Sequence, residues 1–158
     1  MRKSINLSLF LALIIGVSVA SFAMGKQSTS VASLNAFNDH FNASVIAGDA
    51  DALVNMYDDK ALWIEQGKPV AQGLEEPRKL FNFITSNKGQ VNHTIDNLFV
   101  SEDSSLAVMI GSVEAKLEKI GMDATGTYLF VLRPDGKTWK IVTDMWHQHA
   151  PAKSESSQ

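Results

Sequence analysis

Asp144 stands within a β-prone run, Thr138 to His147, whose alternation places Val142, Asp144 and Trp146 on one face. An acid on an inward strand face is either hydrogen-bonded or functional, whereas at a sheet rim it is simply solvated. The same alternation groups Tyr128 with Phe130 and Leu132, and both sets are expected to face a cavity. His93 shares a face with Val91 and Ile95, so it either lines that cavity or is a satisfied structural residue. His147-Gln148-His149 has a spacing that metals use, but no third ligand is evident and no metal is expected. Asn42-Ala43-Ser44 and Asn92-His93-Thr94 fit the glycosylation pattern, which matters only if a eukaryote exports the chain. No Gly-rich phosphate loop, Ser-His-Asp order or helix-borne metal motif is present, and no cofactor is expected.

The 158 residues suit one domain, and the net charge of -3 comes without a basic stripe, which argues against nucleic acid as a partner. The lack of cysteine removes disulfides, thiolate metal sites and a Cys nucleophile. Met1, Arg2 and Lys3, the apolar run Ile5 to Ala20 and the small-residue pattern Ser21-Phe22-Ala23 read as a cleavable signal peptide over 1–23. The run is shorter than the ~20 residues a spanning helix needs, so no membrane association is expected after cleavage. The protein is therefore expected to be exported, periplasmic or secreted, with a polar lead-in at 24–30, one α+β domain at 31–149 and a disordered tail at 150–158.

The elements that must position these side chains follow from periodicity. Val31, Leu34, Phe37, Phe41, Val45 and Ile46 recur at helical spacing and predict a helix over 31–47 that stops at Gly48. Asp49 suits the N-cap of a second helix with Leu53, Val54, Met56 and Tyr57 on its apolar face. Ala61 to Ile64 and Val70 to Gln72 form a short hairpin across Gln66-Gly67-Lys68-Pro69, and Leu74-Glu75-Glu76-Pro77 opens a third helix that Asn87-Lys88-Gly89 ends. Four long strands follow, Val91 to Val100, Leu106 to Leu117, Met122 to Arg133 and Thr138 to His147, which predict a strongly bent antiparallel meander over three helices.

Three signatures in this order carry a resemblance. They are Ala47-Gly48-Asp49-Ala50-Asp51-Ala52-Leu53 leading into Met56-Tyr57-Asp58-Asp59-Lys60-Ala61, Gln72-Gly73 before Glu75-Glu76, and Trp139-Lys140-Ile141-Val142 with Asp144-Met145-Trp146. Together they resemble the nuclear-transport-factor-2-like superfamily, with its SnoaL-like and ketosteroid-isomerase-like branches. The resemblance implies a cone, a curved antiparallel or mixed sheet wrapped around three N-terminal helices with an internal apolar pocket. It also implies an isomerase-type general base at Glu65, directly after Ala61-Leu62-Trp63-Ile64, unless that Glu merely begins a solvated turn. The tyrosine that isomerases carry on the first helix falls at Phe41, which offers no donor, and the second isomerase donor falls near Tyr128. Trp146 matches an aromatic whose indole reaches the base, although it equally suits a core filler.

Two functions are consistent with this set, beside a purely structural dimerisation module with a filled interior. The first is an exported homodimer, paired through the outer sheet face, that holds a small apolar or amphipathic molecule against Phe41, Trp63, His93, Phe130, Val142 and Trp146. The second is an isomerase, cyclase or dehydratase in which Glu65 is the base, with Tyr128, Asp144 or Trp146 assisting. The geometry around Glu65 separates them, because a base must be withdrawn from water and near a donor.

Overall fold

Helix α1 (Ser8–Ala47) lays Leu34, Phe37, Phe41 and Val45 along one buried stripe, the three- and four-residue steps of an amphipathic helix. The computed structural model describes the backbone of residues 8–150 and the side chains of residues 28–150. The side chains on which the export-signal reading rests, and the tail beyond residue 150, lie outside the described residues. Helix α1 runs through 24–30, so the polar lead-in expected there is helical, and Ser30 is already buried. Val31 and Ile46, assigned to the buried stripe by spacing, face outward.

Gly48 ends α1 with a φ of +70°, a value that suits glycine, and its N–H bonds the Val45 carbonyl at 3.0 Å while the Asp49 N–H bonds Ser44 at 3.0 Å. Asp49 at once begins α2 (Ala50–Val54), its carboxylate accepting from the Ala52 N–H at 2.8 Å. Helix α2 is shorter than its sequence suggests. Met56 and Tyr57 were expected on its face, but Tyr57 opens strand β1 (Tyr57–Glu65), and Met56, buried beyond the helix end, donates its N–H to Leu53 and offers its carbonyl to Ile141. Tyr57, Ala61 and Trp63 share strand parity and are all buried, so burial on the sheet's inner face overrides helical spacing.

Strand β2 (Ala71–Gln72) returns beside β1, and α3 (Glu75–Ser86) buries Pro77, Phe81 and Ile84. Pro77 is accepted because it sits in the first helical turn, where no intrahelical donor is lost. The expected strand 91–100 is two strands, β3 (Gly89–His93) and β4 (Asn97–Val100), which pair with opposite halves of β5 (Ala107–Leu117). A 3-10 turn (Glu118–Ile120) leads to β6 (Met122–Asp135), and β7 (Thr138–Gln148) closes the described chain.

The sheet order is β2-β1-β7-β6-β5-β3, with β4 also on β5. The long C-terminal strands pair antiparallel as expected, and the parallel pairing of β1 with β7 makes the whole sheet mixed. The parallel pair joins the first strand to the last and needs no tight turn, since the whole intervening chain makes the crossover. The sheet is not closed, and its concave face takes α1 and α3 to form one core. That arrangement of three helices and a curved mixed sheet is the expected cone.

Candidate functional site: an aromatic cavity with one carboxyl

Under the concave face lies a cavity of about 280 Å³ lined by α1, α3 and the inner faces of β1, β3, β5, β6 and β7. Its walls are almost wholly apolar, and aromatic rings meet across it. Phe41 lies 5.7 Å from Phe81 and 5.9 Å from Phe130, and Tyr57 lies 5.8 Å from Phe81 and 6.4 Å from Trp63, centroid to centroid. These edge-on and tilted contacts are the ones aromatic quadrupoles favour. Other depressions are more open and less uniformly apolar, one of about 780 Å³ between the end of α1 and strands β3 and β5.

Asp144 reaches the cavity from β7, where it faces Phe130 on β6 and Trp63 on β1. It is 5 % exposed, and Oδ2 accepts a 2.7 Å hydrogen bond from the Tyr57 hydroxyl. Oδ1 has no hydrogen-bond partner among the described residues and is open to the cavity. Burial disfavours the charged form and raises the Asp144 pKa to about 7, against a smaller lowering by the Tyr57 bond. Burial, together with the neighbouring carboxylate, lifts Tyr57 well above its ordinary value, so its proton stays on the phenol.

His93 enters from β3 with its ring 4.5 Å from Phe41, 4.4 Å from Tyr128 and 5.5 Å from Phe130. Its backbone is clasped by α1. Asn38 and Asn42 both donate to the His93 carbonyl, at 3.0 and 2.9 Å, and Asn42 accepts the His93 N–H at 2.9 Å. The Asn42 amide that fits a glycosylation pattern is thus an internal clasp. Burial lowers the His93 pKa to about 3 and keeps the ring neutral at ordinary pH. Its Nδ1 and the indole nitrogen of Trp63 are sealed in the packing without partners.

Of the residues singled out from sequence, Phe41, Trp63, His93, Tyr128, Phe130, Asp144 and Trp146 line this cavity. Glu65 and Val142 do not. Glu65 is the Cα partner of Trp146 in the β1–β7 ladder, but it lies outside the lining, and its partly exposed carboxylate takes a hydrogen bond from Lys68 at 2.8 Å. The base that resemblance placed at Glu65 therefore lacks the withdrawal from water that such chemistry needs. Val142 is the extra residue of a bulge. Val131 pairs with Thr143 and Leu132 with Ile141, which leaves Val142 opposite nothing and turns Ile141 inward in its place. Tyr128 is in the wall, but its hydroxyl donates to the Thr94 carbonyl at 3.0 Å.

Tyr57 is the member of the site that sequence reading missed, because it ends a helical pattern. The signal that would have found it is its parity with Ala61 and Trp63. His147 and His149 are exposed with their rings 6.1 Å apart, and His149 pairs with Thr127. Among the described residues no group of three or more potential ligands gathers around a metal position.

The profile of the SnoaL-like domain matches residues 34–150, from the buried stripe of α1 to the end of β7. The chain belongs to the SnoaL-like family. Solved structures show the same cone. An NTF-2-like protein of unknown function from Shewanella oneidensis MR-1 is 17 % identical with a TM-score of 0.62, over 73 % of this chain and 97 % of that one. A ketosteroid isomerase-like protein from Erwinia carotovora atroseptica is 20 % identical with a TM-score of 0.53, over 79 % and 94 %. A protein of unknown function from Mycobacterium tuberculosis is 14 % identical with a TM-score of 0.66, over 85 % and 80 %. No curated protein matches the chain. Structures of the same fold include one described as ketosteroid isomerase-like and one described as a dehydratase, so the fold leaves the activity open and this chain's own cavity must decide.

Proposed function

We propose that this SnoaL-like protein is an exported binder of a small amphipathic molecule, held in the aromatic cavity with its polar group at Asp144. The observation that carries the reading is the state of the tyrosines. A proton-transfer enzyme needs a base and a free donor for the oxygen that gains charge. Here the Tyr57 hydroxyl is committed to Asp144 and the Tyr128 hydroxyl to Thr94. Both tyrosine hydroxyls are thus taken up within the protein, while a concave apolar wall with one polar anchor is what ligand capture requires. The volume of about 280 Å³ falls just below the ~300–1,000 Å³ range of small-molecule sites, which favours a compact one- or two-ring ligand.

One observation favours proton transfer as a second reading. A carboxyl with a pKa of about 7 is well matched to moving protons at neutral pH, and the residue in that state is Asp144. Native mass spectrometry of the protein purified from its source, followed by dialysis against apolar cyclic metabolites, tests the binding reading. A retained compact ligand is the expected result, and a protein that takes up none of the panel overturns it. Conversion of a bound compound, abolished by Asp144→Asn and kept in Glu65→Gln, would establish the enzyme instead. Sequencing the N-terminus of the chain from the extracellular or periplasmic fraction checks export, with a start near Met24 expected.

A further inference from the structure

Asp144 poses a problem that Tyr57 solves only half. Oδ2 has its donor, whereas Oδ1 faces the cavity without one, and no Lys or Arg among the described residues lines the space. A carboxyl so withdrawn from water must either hold a proton or meet a cation. The other titratable groups of the wall cannot supply that cation. Tyr57 on β1, Tyr128 on β6 and His93 on β3 are all held neutral by burial, and α1 and α3 contribute only apolar side chains.

The rest of the wall has an electrostatic preference as well. Phe41, Tyr57, Trp63, Phe81, Phe130 and Trp146 bring six aromatic groups to one cavity, and the faces of such rings attract positive charge. An anion would meet the carboxylate and gain no matching attraction from the rings. A neutral alcohol could satisfy Oδ1 but would lack the attraction that the rings offer a positive charge. The geometry points to a small organic ammonium as the ligand, a compact apolar body whose protonated amine donates to Oδ1 of Asp144 within the aromatic walls. This inference rests on the ligand-pocket reading and names the chemical class that the pocket takes.

The test compares 2-phenylethylammonium with its uncharged counterpart 2-phenylethanol by calorimetry on the intact protein. At pH 8 the amine is expected to bind at least about tenfold more tightly than the alcohol. Lowering the pH to 6 protonates Asp144, and a bound ammonium must then displace that proton. The amine should weaken about tenfold, with proton release visible as a buffer-dependent heat, while the alcohol stays constant. Asp144→Asn should remove the preference for the amine and its pH dependence together. Because the comparison of the two probes and the pH series need only the unaltered protein, the test does not depend on the folding of that variant. Equal or tighter binding of the alcohol at pH 8 would overturn the ammonium assignment and leave the pocket reading standing. Binding of neither probe would overturn both.

Discussion

Asp144 and His93 share one cavity, and burial moves their protonation equilibria in opposite directions, to about 7 and about 3. For Asp144 the folded pKa lies above the ordinary 3.8, so the folded state holds a proton that the unfolded chain has released. Its contribution to stability is greatest at acid pH and is lost as pH rises from about 4 to 7. For His93 the folded pKa lies below the ordinary 6.5, so the unfolded chain takes up a proton that the folded state refuses, and stability is lost as pH falls from 6.5 to 3. Between about 4 and 6.5 the folded state carries one extra proton on Asp144 and the unfolded state one extra on His93, and the two slopes cancel. Chemical denaturation across pH 4 to 8 should therefore unmask each in turn. Asp144→Asn should gain stability relative to the parent as pH rises, by a few kcal/mol at pH 8 in order of magnitude. His93→Gln should gain relative to the parent as pH falls below 6. Parallel curves for parent and variants would show that neither group is held as described.

At the scale of elements, the division of the expected 91–100 strand depends on one glycine. The Thr94 N–H bonds Ser112 at 3.0 Å and the Asp96 N–H bonds Ile110 at 2.9 Å, which folds the chain between β3 and β4 down onto Gly111. A Cβ at Gly111 would stand 1.7 Å from the Thr94 carbonyl oxygen and 2.9 Å from the Tyr128 ring. Gly111→Ala must therefore push β4 away and disturb the Tyr128 to Thr94 hydrogen bond, at a cost of about 1–3 kcal/mol or more. A lowered denaturation midpoint with weaker ligand uptake is the expected result, and a variant as stable as the parent would refute the close approach. The bulge at Val142 acts on the same scale. By adding one residue to β7 it keeps Trp139 and Ile141 in the core and still aims Asp144 and Trp146 at the cavity, which strict alternation could not do.

For the molecule as a whole, the convex face of the sheet is the feature that calls for a partner. Register places Ile64, Met145, Leu129 and Ile110 in one row across four strands, and Leu62, Thr143, Val131, Val108 and Phe99 in a second row across five. Neither row contains a charge, and Leu62, Met145 and Phe99 are well exposed. A two-fold partner presents the same rows to themselves, so a second copy of this chain is the occupant we propose. Val131 lies near the middle of the patch. Sedimentation velocity should find a dimer that Val131→Glu converts to monomer without loss of the cavity's ligand, because Val131 and the cavity lie on opposite faces of the sheet. A parent protein that sediments as a monomer would end the proposal.

What the sequence determined by itself are the features written in local periodicity and turn chemistry. They include the buried stripe of α1 and its end at Gly48, the cap at Asp49, Pro77 in a first turn, and the long strands from Ala107 to Gln148. Those strands and three helices in that order were sufficient for the cone and for most of the cavity wall, since Phe41, Trp63, His93, Tyr128, Phe130 and Trp146 follow from alternation or helical spacing. Which carboxyl the cavity contains was decided only by the tertiary structure. Alternation turns Asp144 inward, but it gives Glu65 the parity of Trp63 as well, so alternation alone does not choose between them. The bulge at Val142, the parallel pairing of β1 with β7 and the turning of Tyr57 from helix to strand put Asp144 inside and leave Glu65 with Lys68. A bulge changes the parity of every side chain beyond it, and its position depends on how two strands distant in sequence come to match, so the choice of acid arises only when the chain has folded.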